Sequence, residues 1–160
     1  MDIQVRDVVL DLELEPVFWQ RAPEIRIEFN NTILFNGELS ETKQFTWTLN
    51  AADSNRLSVF LSNKVDADSQ NGKDMAVTVN CIGIEGFHYQ SFMHATRYRP
   101  EYSAGYYRYA QEKNITVEPV IHANYLGFNG EWFLEFTWPT FTWIYNLETD
   151  GLGWIYEKNI

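Results

Sequence analysis

Between two extended segments the chain runs Asn63-Lys64-Val65-Asp66-Ala67-Asp68-Ser69-Gln70-Asn71-Gly72-Lys73-Asp74, a stretch dense in hard oxygen donors. Calcium gathers about six to eight oxygens from carboxylates, amides and backbone carbonyls, so Asn63, Asp66, Asp68, Asn71 and Asp74 are the candidate ligands for such an ion. The EF-hand template does not fit. Asp66 and Asp68 match its first two ligand positions, but Gly72 falls one residue late and Val77 stands where the bidentate Glu belongs. A solvated polar turn accounts for the same composition.

Other reactive side chains form no recognisable set. His88, His94 and His122 lack the spacing of a metal-ligand pair, and they read as hydrogen-bonded or surface histidines. Cys81 is the single cysteine, so no intrachain disulfide forms; a lone thiol reads as a small space-filler. No flanking motif pairs it with a histidine as nucleophile and base. Glu131 and Glu135 lie four apart on one expected strand, hence on one face, whereas a glycosidase opposes its two carboxylates. The sequons Asn30-Asn31-Thr32 and Asn114-Ile115-Thr116 read as chance occurrences. The expectation is a protein without catalysis and without a cofactor, calcium excepted.

Aromatic residues carry more information. Six Trp and nine Tyr exceed what one β-sandwich of this size buries, and all nine tyrosines lie from Tyr89 onward. Exposed Tyr and Trp stack on sugar rings or anchor protein contacts. Tyr102, Tyr106, Tyr107, Tyr109, Trp138, Trp143, Trp154 and Tyr156 are therefore the candidate sugar-stacking or interface residues. Trp19, Trp47 and Trp132 are expected in the core.

The elements that position these residues are mostly strands. Val8 to Leu14, Ile25-Arg26-Ile27-Glu28-Phe29, Phe45 to Leu49, Leu57 to Leu61, Met75 to Ile84 and Trp132 to Phe136 alternate with a period near two. Asn30-Asn31, Asn36-Gly37 and Asn129-Gly130 are turn signals. Ile115-Thr116-Val117 and Tyr125 to Phe128 are further strand signals, and Pro139 places Phe141 to Tyr145 at a sheet edge or in a separate extension. Residues 1–86 are expected to hold the core strands, 87–114 an aromatic loop or arm, 115–146 returning strands, and 147–160 a C-terminal extension.

Twelve Lys and Arg stand against 22 Asp and Glu in 160 residues, a net charge of −10. That balance excludes a nucleic-acid surface, which needs clustered cations to neutralise phosphates, and an anionic membrane surface for the same reason. No apolar run approaches the roughly 18 residues of a membrane span, and the first residues read as no signal peptide. With 45% hydrophobic and 16% aromatic residues the chain folds rather than remaining disordered.

Two stretches carry resemblances. Ser62-Asn63-Lys64, the acidic loop and Gly72-Lys73-Asp74 through Asn80-Cys81-Ile82-Gly83-Ile84-Glu85-Gly86 resemble the closing half of small calcium-dependent xylan-binding modules. Lys64 stands where those modules commonly carry an acid, and Lys73-Asp74 replaces their Asp-Arg. The resemblance implies an all-β, antiparallel jelly-roll sandwich of the carbohydrate-binding-module type, here with a long aromatic loop and an extended C-terminal region. Tyr125 to Phe136, Pro139 to Tyr145 and Leu152-Gly153-Trp154-Ile155-Tyr156 are similar to the C-terminal portion of tailed-phage virion proteins, including those of cyanophages. That similarity implies a structural component of a virion, in its tail, baseplate or capsid, with other virion proteins and copies of itself as partners. The alternative expectation is a calcium-dependent carbohydrate-binding module that attaches to cell-surface polysaccharide.

Overall fold

The computed structural model describes residues 5–149. Alternating side chains along the N-terminal strand β1 (Asp7–Val17) send Val8, Leu10, Leu12 and Leu14 inward, each fully buried, while Val9, Asp11 and Glu13 face the other way. The same period carries β2 (Glu24–Phe29), β3 (Thr32–Glu38), β4 (Lys43–Asn50), β5 (Ser54–Leu61) and β6 (Ala76–Ile84). After α1 (Gln90–Ala95) come β7 (Arg97–Pro100), α2 (Ala104–Glu112), β8 (Tyr125–Leu126), β9 (Gly130–Thr137) and α3 (Thr140–Thr149).

The strands form two antiparallel sheets, ordered β4-β1-β6-β8 and β3-β2-β5-β9-β7. Between them lies one core. Ile25, Ile27, Leu57, Val59, Leu61, Val77, Val79, Ile82, Ile84, Trp132, Leu134 and Phe136 meet the β1 leucines across it. This is the expected antiparallel β-sandwich, held by packing because the one thiol has no partner for a disulfide.

Turn chemistry agrees at Asn30-Asn31, where both residues have positive φ, 48° and 69°, as a tight hairpin turn demands. It fails at Asn36-Gly37. Both lie inside β3, paired with Arg26 and Ile25, and the chain turns only after Glu38. Ile115-Thr116-Val117 forms no strand, and Tyr125 to Phe128 contributes only the two residues of β8.

The stretch 87–114, expected as a loop or arm, is more structured than its composition suggests. It holds α1, the edge strand β7 and α2, and β7 hydrogen-bonds to β9 with Tyr98 opposite Trp132. Phe141 to Tyr145, expected as an edge strand or extension, lies within α3. Thr140, Ile144 and Thr149 are buried there, with Trp143 and Leu147 packed against the core, so the segment follows a helical rather than a two-residue period. No described helix is long and apolar enough to cross a membrane.

Candidate functional site

Lys64 leaves the end of β5 with its side chain only 13% exposed. Its backbone is clamped by the Asn129 amide: Lys64 N donates to Asn129 Oδ1 at 2.9 Å, and Asn129 Nδ2 donates to Lys64 O at 3.0 Å. Its ammonium then donates to Asp74 Oδ1 at 2.7 Å and to the Gly127 carbonyl, with the Phe128 ring 5.7 Å away. Asp74 also accepts from Ser69 Oγ at 2.5 Å and from the Tyr125 hydroxyl at 2.6 Å. Burial alone would raise this carboxyl. The donors Lys64, Ser69 and Tyr125 outweigh burial and hold it below the ordinary carboxylate value. Burial and the Asp74 charge push the Tyr125 phenol upward, so Tyr125 stays a donor.

Above this pair opens a cleft of about 730 Å³. One wall is the acidic loop, with Asp66, Ser69, Lys73 and Asp74; the other is the start of α2 with Ser103 and Tyr106, and Tyr125 and Phe128 also line it. Helix α2 forms there because Ser103 caps it, its Oγ accepting from Tyr106 N at 3.1 Å. The cap sets Tyr102 and Tyr106 one turn apart, stacked at 5.0 Å, and each meets the Phe128 ring edge-on at 5.0 Å. Tyr98, buried beneath, joins Phe128 through both its backbone groups. The cleft is of the size and mixed character that small ligands occupy, with aromatic faces beside convergent polar groups.

The expected acidic loop and aromatic arm thus meet in one place, through Asp66, Asp74 and Tyr106. The remaining candidates do not join them. Tyr102 packs behind Tyr106; Tyr107 and Tyr109 are 53% and 50% exposed on the outer side of α2 and line no part of the cleft. Trp138 and Trp143, expected as contact residues, instead pack against the core, Trp143 stacking on Phe92 at 6.0 Å, because α3 folds back onto the sandwich. Trp154 and Tyr156 lie outside the described residues. Of the tryptophans expected in the core, Trp132 is fully buried, while Trp19 and Trp47 are half-buried.

The oxygen donors proposed for calcium point to different partners. Asp68, 2% exposed, accepts from Arg21 Nε at 3.1 Å and Arg21 Nη2 at 2.8 Å and from Val65 N at 2.8 Å. That guanidinium fork, against opposing burial, holds its carboxyl below the ordinary range. Asn63 bridges Glu24 N and Ala22 O, and Asp66 and Asn71 are exposed. Two protein cations, Arg21 and Lys64, therefore occupy the carboxylates an ion would need, and the donor set as arranged does not fit calcium.

Among the described residues, Glu131, the three histidines and Cys81 line no part of the cleft. Glu131 is tied to Arg56 at 2.8 Å and to Ser58 Oγ at 2.7 Å on the second sheet. His94 is exposed, and His122 contacts Arg97. Cys81 and His88 do approach one another beside Asp11, and none of the three lines the cleft. Burial first, then the Asp11 and Glu13 charges, keep the Cys81 thiol above its ordinary value, the reverse of an activated nucleophile.

No protein-family model matches the chain, and no curated protein matches it in sequence. Among solved structures it is similar to vCBM60 in complex with galactobiose, at 12% identity and TM-score 0.50, covering 81% of this chain and 97% of that one. It is likewise similar to the selenomethionine form of vCBM60, described with the circular permutation that links two families of calcium-dependent carbohydrate binding modules. There the identity is 12% and the TM-score 0.50, with 79% and 89% covered. At that identity the likeness is one of fold: the chain has the two-sheet architecture of a carbohydrate-binding module.

Proposed function

We propose that the chain is a non-catalytic carbohydrate-binding module whose ligand lies in the cleft between the acidic loop and α2. The observation that carries this reading is the convergence there of aromatic rings, Tyr106, Tyr125 and Phe128, with the polar groups of Asp66, Ser69, Lys73 and Glu101. Rings take the apolar face of a sugar, and carboxylates and hydroxyls take its edge. Lys64 supplies the fixed positive charge beneath, so recognition proceeds without calcium. A net charge of −10 repels polyanions, which makes a neutral saccharide the ligand class. The galactobiose bound by vCBM60 on a similar sandwich supports the same class.

The test is titration of neutral oligosaccharides into the full chain by calorimetry, in calcium and again in chelator. Binding should be equal in both, and Tyr106→Ala should weaken it roughly tenfold, about 1.4 kcal/mol. A blank response across neutral glycans under both conditions would sink the reading.

A second reading, a structural subunit of a tailed-phage virion touching copies of itself, draws support from the exposed Tyr107, Tyr109 and Phe141, the last 61% exposed. Mass spectrometry of purified particles and light scattering of the free chain would test it. A monomer absent from particles rules it out.

A further inference from the structure

The outer face of the β4-β1-β6-β8 sheet carries a group of side chains that the cleft does not use. β1 and β6 pair with Asp11 opposite Gly83 and Glu13 opposite Cys81. In strict alternation Cys81 would follow Val77 and Val79 into the core. The register shifts between Glu13 and Leu14, so that Leu14 faces Val79 and Asn80 is the extra residue. This bulge re-aims the thiol to the face that bears Asp11. His88 reaches the same spot after the turn Glu85-Gly86, whose φ values of 54° and 79° reverse the chain and let Phe87 pair back on Ile84.

Gly83 makes the approach possible. Its φ is not in the left-handed region, so the backbone does not demand glycine; space does. A Cβ there would overlap both Asp11 Oδ2 and His88 Nε2. The hollow lets His88 Nε2 sit 2.7 Å from Asp11 Oδ1. Asp11 is 8% exposed, and among the described residues His88 is the one hydrogen-bond partner of its carboxylate. A bulge that turns a thiol outward and a glycine that admits a carboxylate and an imidazole over the same spot are independent devices with one effect. They gather one sulfur, one nitrogen and one oxygen donor.

We propose that Asp11, Cys81 and His88 form a zinc site on the outer face of this sheet. One ligand atom from each lies within 4.8 Å of the other two. In a tetrahedral zinc centre the donor atoms stand roughly 3.3–3.6 Å apart, a spacing within reach of adjustment at the His88 ring, which is 44% exposed. Mixed sulfur, nitrogen and oxygen ligation suits zinc and its neighbours in the transition series rather than calcium or magnesium. Three protein ligands leave a fourth position open toward solvent on the His88 side. Glu13, facing Cys81 and held by Asn80 Nδ2 at 3.0 Å, borders the site with a further carboxylate.

The experiment uses the full chain, stripped with chelator and titrated with cobalt(II) chloride, then zinc chloride. One cobalt per chain should give a thiolate charge-transfer band in the near ultraviolet, which zinc then abolishes. Cys81→Ser should remove the band, and His88→Ala should weaken zinc binding at least roughly tenfold, the loss that even a supporting residue brings. Melting in chelator establishes that each variant is folded. Should either fail to fold, alkylation of the unaltered protein decides, because Cys81 is the only thiol: zinc should slow it at least tenfold. An unchanged alkylation rate, or zinc affinity unaffected by His88→Ala in a folded variant, would overturn the proposal.

Discussion

Asp74 accepts from an ammonium, a hydroxyl and a phenol, and Asp68 from a guanidinium fork and a backbone amide. Both carboxyls are held below their ordinary value of 3.8 in the folded chain. A depressed folded value means that the unfolded chain binds protons more readily in acid. Their contribution to stability is therefore complete above about pH 3.8 and is lost as pH falls below it toward the folded values. Urea unfolding followed across acid pH should show this slope, and the Asp68→Asn, Asp74→Asn double variant should flatten it; an equal slope in the variant would contradict the account. In the sequence Lys64 was legible only as a departure from an acidic pattern. Its role depends on Asn129 and Gly127, more than sixty residues away, which no local reading of the loop contains.

Among the elements, the strands were readable because a two-residue period is imposed wherever one face meets a core, as Val8 to Leu14 and Glu24 to Phe29 show. The helices were not. Phe141-Thr142-Trp143-Ile144-Tyr145 is rich in strand-favouring residues, and only the placement of Thr140, Ile144, Trp143 and Leu147 against the core selects the helical period. α2 is the exception, with a partial signal: Tyr106 and Tyr109 recur at helical spacing after Ser103, and Tyr102 stands just before it. The cap is the more decisive part. Ser103→Ala removes the acceptor for Tyr106 N and should cost about 1 kcal/mol. Because the same turn sets Tyr106 at the cleft, saccharide affinity should fall with it, whereas Ser103→Asp, which restores a cap, should recover both stability and binding. Denaturant midpoints and calorimetry on the two variants distinguish these outcomes.

At the scale of the whole molecule, the sandwich closes through partners remote in sequence. Arg56 meets Glu131, 75 residues away, across the β5–β9 pair, and the cleft has one wall from residues 64–74 and the other from 98–129. Pairings of this range form late, since the chain must close long loops before the contacts repay it. No partly folded chain that lacks a docked β9 presents both walls. A saccharide seated in the cleft should therefore slow unfolding in proportion to its occupancy and leave the refolding rate unchanged. Stopped-flow refolding that accelerated with added saccharide would show the walls meeting earlier than this topology allows. Occupancy of the cleft acts as a timer on the native state, lengthening its lifetime without hastening its arrival.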